Sequence, residues 1–414
     1  MPTPRPNLSI DAGRLGAALD RSSEIGAGPR GGLRRLALSD SDGEMRDQFV
    51  AWCEAIGCRV TVDAAGSIFA RRAGREDGLP PVVIGSHLDS QASGGRFDGV
   101  LGVLAGLEVL RTLEDNGIVT KRPVEVVNWT NEEGARFAPP MAASRVFAGL
   151  ATVEWLHDLT DDDGIRYGDE LRRIGYLGEA PVGGCALDSY FELHIEQDSL
   201  LEEAGVSVGV VTGGYYSHAL NCVFRGECAH TGPTEMKKRR NAMMGAAYFL
   251  AAVNDIGWDY EPVGRTSASR MQIWPNRFGI LPEYAEVTVD MRHKDRAVTD
   301  EMVEKTRAAL ARAAGRAQVE AEVTAEWTFG DEAFDPECTG LVRQAAEARG
   351  TSCMDMRSIA GHDAYYISRI APTALVFSPC IGGITHNEAE DIPWKPTVEA
   401  VNVLLDAVLA RADR

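Results

Sequence analysis

Histidine and carboxylate side chains recur in this sequence directly after short apolar segments that are typical of buried strands. The stretch "VVIGSHLDSQASGGRFDGV", residues 82–100, carries His87, Asp89 and Asp98 behind such a segment. Imidazole and carboxylate groups together bind zinc, manganese and related divalent ions in proteins. The pattern indicates a metal-binding loop, although a histidine at a strand end is also commonly a structural residue.

Further polar residues follow other strand-like segments. Glu132 and Glu133 follow "VVNWTN", His194 follows "YFEL", and His386 lies in "GGITHNEAE". A pair of divalent ions needs a shared carboxylate to offset their repulsion and a base that takes a proton from water. Adjacent glutamates can divide metal binding and proton transfer between them, whereas a glutamate pair in a solvated loop needs no such role. Because the clusters recur at successive strand ends, a joint site is the favoured interpretation.

The segments that carry these residues alternate between strand and helix patterns. A hairpin is predicted around Ala65–Gly66, and apolar residues at helical spacing fill 100–117. Strands separated by helices predict an α/β fold with a mostly parallel mixed sheet covered by helices. Ligands of such sheets collect at the carboxyl ends of the strands. His362 and Asp363, in "AGHDA", lie at a predicted loop–helix junction.

The middle of the chain has a different pattern, with two helices among about four strands. It predicts a compact α+β domain over 213–330, inserted into a larger domain formed by 1–212 and 331–414. Within the insertion, Thr299 is predicted to cap a helix whose first turn contains Asp300 and Glu301.

The composition excludes several classes of function. A net charge of -19 argues against nucleic-acid binding, which needs a basic surface. No apolar run approaches the roughly 20 residues of a membrane helix. The N-terminus "MPTPRPNLSIDAGRL" has no apolar signal core, and the eight cysteines are scattered, which predicts free thiols. We therefore expect a cytoplasmic protein without membrane or nucleic-acid partners.

Several motifs resemble one known family. The segments "GSHLDSQASGGRFDGVLGVLAGLEVL", "NWTNEEGARFAPPMAAS", "ELHIEQ", "AHTGPTEMKKRRNAMMGAA", "DMRH", "AGHDA" and "GITHNEAED" resemble the amidase and carbamoylase branch of the M20 metallopeptidase superfamily. This branch includes N-carbamoyl-L-amino acid hydrolases, beta-ureidopropionases and allantoate amidohydrolases. The resemblance runs from about residue 10 to the C-terminus. It implies a catalytic domain with an inserted lid and dimerisation domain, and a homodimer formed through that lid.

The resemblance also implies a dimetal site. The implied metal ligands are His87, Asp98, Glu133, His194 and His386. Asp98 would bridge two divalent ions per subunit, with Zn²⁺ preferred and Mn²⁺, Co²⁺ or Ni²⁺ as alternatives. Glu132 would be the general base, and Asp89 would orient the imidazole of His87.

Other residues are implied to contact the substrate. His230 would stabilise the oxyanion of the transition state from the neighbouring subunit, and Arg292 would bind a substrate carboxylate. Gln197 would contact the amide or ureido group. Gly361 and His362 would lie beside the carboxylate, and Asn276 is a further candidate contact, although it is out of register with the asparagine of the family.

Three positions depart from the family pattern. Gly279 stands where the family has a substrate-binding asparagine, Asp198 replaces the glycine of "HIEQG", and Arg145 replaces the glycine of "ASGVFAG". The implied metal site is complete, whereas the implied substrate pocket is altered.

The resemblance implies a metal-dependent amidohydrolase that cleaves the C–N bond of an N-carbamoyl or related N-acyl or ureido L-amino acid, a small substrate with a carboxylate. Two other activities remain open: hydrolysis of allantoate or ureidoglycolate, and M20 aminoacylase or dipeptidase activity. A ligand-binding protein without turnover is the alternative outside enzymes. Retention of Glu132 argues against it, because a binding protein needs no base there.

Overall fold

The computed structural model describes residues 8–414, and residues 1–7, the start of the segment predicted to lack a signal core, lie outside it. The described residues divide into two compact units. The first unit comprises the described residues up to Thr212 together with Ala333–Arg414, and the second comprises Gly213–Glu332. The chain thus returns to the first unit at Ala333, close to residue 331.

Fourteen strands occur within the described residues. They are β1 (Arg59–Val62), β2 (Ile68–Arg72), β3 (Val82–His87), β4 (Val124–Trp129), β5 (Ser189–Ile195), β6 (Val208–Gly214), β7 (Tyr216–Arg225), β8 (Ala229–His230), β9 (Arg265–Trp274), β10 (Ile280–Leu281), β11 (Tyr284–His293), β12 (Glu320–Phe329), β13 (Cys353–Ser358) and β14 (Thr373–Ser378).

Twelve α-helices occur in the same part of the chain. They are α1 (Ala12–Glu24), α2 (Asp40–Glu54), α3 (Val100–Asp115), α4 (Ala142–Phe147), α5 (Val153–Asp158), α6 (Tyr167–Arg173), α7 (Leu200–Ala204), α8 (Ala242–Asp259), α9 (Arg296–Ala317), α10 (Pro336–Arg349), α11 (Asp363–Ile367) and α12 (Trp394–Ala412).

The first unit is built on an eight-stranded sheet in the order β1-β2-β4-β3-β5-β14-β6-β13. The central strands β4, β3, β5 and β14 run parallel to their neighbours in this group. The predicted hairpin forms β1 and β2, with Val62 opposite Ile68. Strands β3, β5 and β14 are buried along their whole length, which is typical of parallel strands covered on both faces. The predicted mostly parallel mixed sheet is confirmed.

The second unit has a four-stranded antiparallel sheet in the order β12-β7-β11-β9, a two-stranded sheet of β8 and β10, and helices α8 and α9. Phe224, Phe249 and Val287 lie in its separate apolar core.

The predicted start of helix α9 was wrong. The helix begins at Arg296, because the Asp295 carboxylate accepts the N–H of Ala297 and caps it one turn earlier. Thr299 is buried, and its hydroxyl donates to the carbonyl of Tyr216. Asp300 and Glu301 therefore lie beyond the first turn.

Two expectations from composition concern the whole chain. Among the described residues, no helix combines the length and the apolar character required to cross a bilayer. All eight cysteines are free thiols in this part of the chain.

Candidate metal centre

The residues proposed as metal ligands follow the carboxyl ends of the parallel strands. His87 ends β3, and Glu132 and Glu133 lie in the turn that follows β4. His194 lies near the end of β5, and His386 follows β14 in a loop. Since these strands are parallel neighbours, their carboxyl ends lie at one edge of the sheet.

The Asp98 carboxylate lies between two sets of side chains. Its Oδ1 is 3.1 Å from His194 Nε2 and 3.8 Å from His87 Nε2, whereas its Oδ2 is 3.3 Å from His386 Nε2. Each oxygen thus faces a different group of donors. A carboxylate in this arrangement can bridge two cations.

Two groups of potential ligands share Asp98. One group contains His87 and His194, and the other contains Glu133 and His386; in each group the ligand atoms lie within 4.8 Å of one another. Imidazole nitrogens and carboxylate oxygens are the donors that zinc and similar ions accept. The structure therefore brings all five predicted ligands together in two sets that could bind metal.

Main-chain carbonyls orient the two buried histidines. His87 Nδ1 is 2.9 Å from the carbonyl oxygen of Asp89, and His194 Nδ1 is 2.9 Å from that of Ile195. A carbonyl oxygen only accepts, so each Nδ1 carries the hydrogen and the neutral ring has its lone pair on Nε2. Both Nε2 atoms face Asp98, as metal ligation requires.

Asp89 differs in detail from the prediction that its side chain orients His87. Its carboxylate Oδ1 lies 3.9 Å from His87 Nδ1, and the main-chain carbonyl makes the close contact instead. The carboxylate accepts the main-chain N–H groups of Glu132 and Glu133, each at 3.3 Å. Asp89 therefore connects the loop after β3 to the glutamate pair after β4.

The two adjacent glutamates contact different histidines. Glu132 Oε2 is 3.5 Å from His87 Nε2, and Glu133 Oε2 is 3.3 Å from His386 Nε2. Gln91 donates to Glu133 Oε2 at 2.8 Å. Asn131, the residue before the pair, has a φ of 59°, in the left-handed region. The two adjacent carboxylates thus lie beside different histidines around Asp98.

Burial and neighbouring charges change the acidity of these groups. Burial, together with the charges of Asp363 and Glu133, raises the pKa of Glu132 well above its usual value. Partial desolvation opposes protonation of the half-exposed His386, but the charges of Glu133 and Asp98 and its hydrogen bonds to them together outweigh this and raise its pKa to about 11. A buried carboxylate with a raised pKa is a stronger base than an exposed one.

Close packing and strained backbone accompany the site. Gly99 has a φ of 67°, and a Cβ at this position would lie 2.2 Å from the His87 ring. His386 and Gln197 also have positive φ values, of 50° and 63°. Such conformations in residues other than glycine cost free energy and concentrate at functional sites.

Of the other predicted residues of the first unit, Gln197 contacts Asp98 and His362 contacts His194. Gln197 Nε2 donates to Asp98 Oδ2 at 3.0 Å. His362 packs edge-on against His194, with ring centroids 4.5 Å apart, and Gly361 directly precedes it.

Sequence reasoning missed Glu192, which with His194 and His362 forms a third group of possible ligands. Its carboxylate accepts from Ser86 Oγ at 3.2 Å, from the hydroxyl of Tyr190 at 3.2 Å and from the N–H of Ala364 at 3.0 Å. The available signal was an acidic residue inside an otherwise apolar strand.

The remaining predicted residues belong to the second unit. His230 is exposed at the end of β8, and its Nδ1 accepts the N–H of Gly232, so the neutral ring carries its hydrogen on Nε2. Arg292 lies on β11, where its Nε donates to Asp290 at 2.8 Å. Asn276 is exposed in the segment between β9 and β10. His230 thus offers a donor and Arg292 an oriented guanidinium.

The three departures from the family pattern have distinct structural settings. Arg145 lies over the ring of Trp155, 5.1 Å from its centroid. Asp198 is exposed and accepts the N–H of Ser199. Gly279 has a φ of 92°, and a Cβ there would meet no atom within 4 Å.

Comparisons with known proteins agree with the geometry. Residues 83–410 match Peptidase family M20/M25/M40. The chain is 43% identical over 413 residues to the N-carbamoyl-L-amino-acid amidohydrolase of Rhizobium meliloti, covering 100% of this chain and 99% of that protein. It is 29% identical to the ureidoglycolate hydrolase of Oryza sativa subsp. japonica, covering 95% of this chain and 84% of that protein.

A solved structure is similar over the whole length. It is a hydantoinase/carbamoylase family amidase from Burkholderia vietnamiensis, with a TM-score of 0.96 and 47% identity, covering 99% of this chain and 100% of that one. Both the matched region and these relatives extend over most of the sequence. The chain belongs to Peptidase family M20/M25/M40.

Proposed function

We propose that this protein is a metal-dependent amidohydrolase that cleaves the C–N bond of an N-carbamoyl or related N-acyl or ureido L-amino acid. The observation that carries the proposal is the position of Asp98, whose two oxygens face His194 at 3.1 Å and His386 at 3.3 Å. The relative at 43% identity, named N-carbamoyl-L-amino-acid amidohydrolase, supports the substrate class.

The donor set supports two divalent ions per subunit. His87 and His194 would hold one ion, Glu133 and His386 the other, and Asp98 would bridge them. Divalent ions held there would polarise the scissile carbonyl and lower the pKa of the attacking water. Mixed imidazole and carboxylate ligation favours Zn²⁺, and Mn²⁺, Co²⁺ or Ni²⁺ fit the same donors.

Glu132 is proposed as the general base. It is buried, its pKa is raised by burial and by the charges of Asp363 and Glu133, and its Oε2 lies 3.5 Å from His87 Nε2. In this role it accepts a proton from the attacking water and returns it to the leaving nitrogen. With an N-carbamoyl substrate, the products are the amino acid, CO₂ and ammonia.

The remaining proposed roles concern contacts with the substrate. Arg292 would bind the substrate carboxylate, and its bond to Asp290 fixes the plane of the guanidinium. His230, with its hydrogen on Nε2, would donate to the developing oxyanion. Gln197 would contact the amide or ureido group, with Gly361 and His362 near the carboxylate.

We also propose a cytoplasmic homodimer formed through the second unit, in which His230 serves the neighbouring subunit. Strand β9 at the edge of its sheet is exposed along much of its length, and an exposed edge strand favours pairing with another chain. Sedimentation at several protein concentrations tests the dimer.

The activity is tested with metal-loaded protein and a panel of N-carbamoyl, N-formyl and N-acetyl amino acids. Release of amine should depend on the metal, disappear with a chelator and return on adding metal back. Absence of release from every substrate of the panel would contradict the proposal.

Hydrolysis of ureidoglycolate or allantoate is the second candidate. It is favoured by the relative from Oryza sativa and by the glycine at position 279, which leaves space where the family has asparagine. Including both ureides in the panel, with rates compared as kcat/KM, distinguishes the two candidates.

A further inference from the structure

A buried glutamate lies four residues after His386 and takes no part in the proposed chemistry. Glu390 is 2% exposed. Its Oε1 accepts two main-chain N–H groups, from Phe97 at 2.9 Å and from Asp98 at 3.0 Å. One carboxylate oxygen thus holds the backbone at the residue whose side chain faces both groups of metal ligands.

A hydroxyl connects the same carboxylate to the side chain of Asp98. Thr385 Oγ1 lies 3.0 Å from Asp98 Oδ2 and 3.2 Å from Glu390 Oε2. Thr385 directly precedes His386 in the chain. The segment 385–390 therefore contacts Asp98 at two points. Glu390 accepts the main-chain N–H of Asp98, and Thr385 donates to the Asp98 carboxylate.

The opposing loop leaves room for this glutamate. A Cβ at Gly95 would lie 1.9 Å from the carboxyl carbon of Glu390. Any side chain at position 95 would occupy the space of the Glu390 carboxylate, so the observed position of this carboxylate requires glycine at position 95.

Glu388 provides an internal comparison. It is buried in the same segment, but its carboxylate accepts the N–H of Arg30 at 2.6 Å and the hydroxyl of Ser93 at 3.1 Å. It fastens the segment to the N-terminal part of the unit and makes no hydrogen bond to Asp98. Removing the Glu390 carboxylate leaves the buried N–H groups of Phe97 and Asp98 without their acceptor, whereas the donors to Glu388 lie on exposed Arg30 and half-buried Ser93. Only the first change alters contacts of Asp98.

We propose that Glu390 is a positioning residue that fixes Asp98 relative to His386 and so prepares the two ligand groups to bind metal together. The inference rests on the dimetal site proposed above. The proposed role requires a hydrogen-bond acceptor at the end of side chain 390, for the N–H groups of Phe97 and Asp98, and does not require a negative charge there. Partners that orient metal ligands typically change metal affinity by about 10–100-fold when they are removed.

The test compares Glu390→Ala, Glu390→Gln, Gly95→Ala and Glu388→Ala with wild type. Each metal-free protein is titrated with Co²⁺ against a competing chelator, and the absorption spectrum of the bound ion and the thermal midpoint of the metal-free form are recorded. We expect Glu390→Ala and Gly95→Ala to lose about 10–100-fold in metal affinity and to alter the spectrum.

Glu390→Gln should bind close to wild type. Its carbonyl oxygen can accept from Phe97 and Asp98, and its amide can donate to Thr385. Glu388→Ala should lower the thermal midpoint but keep the affinity and the spectrum of wild type. If Glu390→Ala does not fold, Gly95→Ala and Glu390→Gln still decide the test.

Unchanged affinity in Glu390→Ala or Gly95→Ala would overturn the inference, and so would an equal loss in Glu388→Ala. A loss of metal affinity in Glu390→Gln as large as that in Glu390→Ala would overturn the proposed role of residue 390 as a hydrogen-bond acceptor. If wild type itself binds no metal, the proposed function fails instead, so the two failures are distinguishable.

Discussion

The two units hold their candidate functional side chains in different ways. In the first unit, the side chains of His87 and His194 are 1% exposed, and each ring is fixed by a carbonyl. In the second unit, His230 and Asn276 are exposed. Burying several charged groups without partners is costly, so ions bound among these side chains would stabilise the cluster. Substrate contacts, in contrast, can be completed by the substrate itself. Substitutions of metal ligands in the first unit should therefore change metal content, and substitutions in the second unit should change kcat or KM without loss of metal.

The largest effect should follow removal of the shared carboxylate. Asp98→Ala takes a ligand from both groups, so we expect loss of both ions on dialysis and no detectable turnover. Elemental analysis after dialysis, alongside the rate, measures this. Asp198→Ala, which removes an exposed carboxylate, is the control and should keep metal. Full metal retention by Asp98→Ala would contradict the bridging role.

The second prediction separates the two adjacent glutamates. Glu132→Gln should lower kcat by about 10²–10⁴-fold, because the base is lost while the ligands stay. Glu133→Gln should instead lose metal, since Glu133 Oε2 lies 3.3 Å from His386 Nε2. Metal content and kcat are measured on both. Substantial activity in Glu132→Gln would show that another group is the base.

The third prediction concerns His230 in the second unit. His230→Ala should lower kcat by about 10²–10³-fold, the typical loss of one oxyanion donor, with metal content unchanged. Differently tagged His230→Ala and Glu132→Gln chains, purified together as mixed dimers, should recover activity if His230 serves the neighbouring subunit. Mixed dimers without recovered activity would contradict that assignment.

Arg292 should affect substrate binding more than turnover. Arg292→Lys keeps the charge but loses the planar fork, so KM should rise about 10–100-fold, in line with hydrogen bonds to charged groups worth about 1.5–3 kcal/mol. Arg225→Lys, on an exposed strand position paired with Glu322, is the matched control. Substrates whose carboxylate is converted to an amide should show no difference between Arg292→Lys and wild type. An equal difference with such substrates would exclude carboxylate binding.

The smallest effect is expected at Gly279. Gly279→Asn adds a side chain into open space at a φ of 92° that asparagine tolerates better than most residues. One added neutral hydrogen bond is worth about 0.5–1.5 kcal/mol, so kcat/KM for N-carbamoyl substrates should rise by at most about tenfold. Gly279→Ala separates the effect of the backbone from that of the amide. A fall in kcat/KM for ureidoglycolate in Gly279→Asn would favour the second candidate function, because that candidate uses the space left by the glycine.

Much of the ligand set could be predicted because it follows local patterns. Strand-like segments ending in histidine or glutamate identify His87, Glu132, Glu133 and His194, and parallel strands bring such ends to one edge. The helix start at Thr299 was mispredicted because Asp295 is an equally good cap one turn earlier. Local patterns rank caps poorly when two candidates lie within one turn.

The sequence alone determined the types of chemistry that were available: the imidazoles, the carboxylates, and the alternation of strands and helices that carries them. Only the tertiary structure decided which oxygen of Asp98 faces which histidine, that the Asp89 carboxylate accepts from Glu132 and Glu133, and that Glu390 holds Asp98. These contacts join residues far apart in the chain across distances of about 3 Å. Hydrogen bonds depend steeply on distance and angle, and sequence spacing carries no information on either between distant segments.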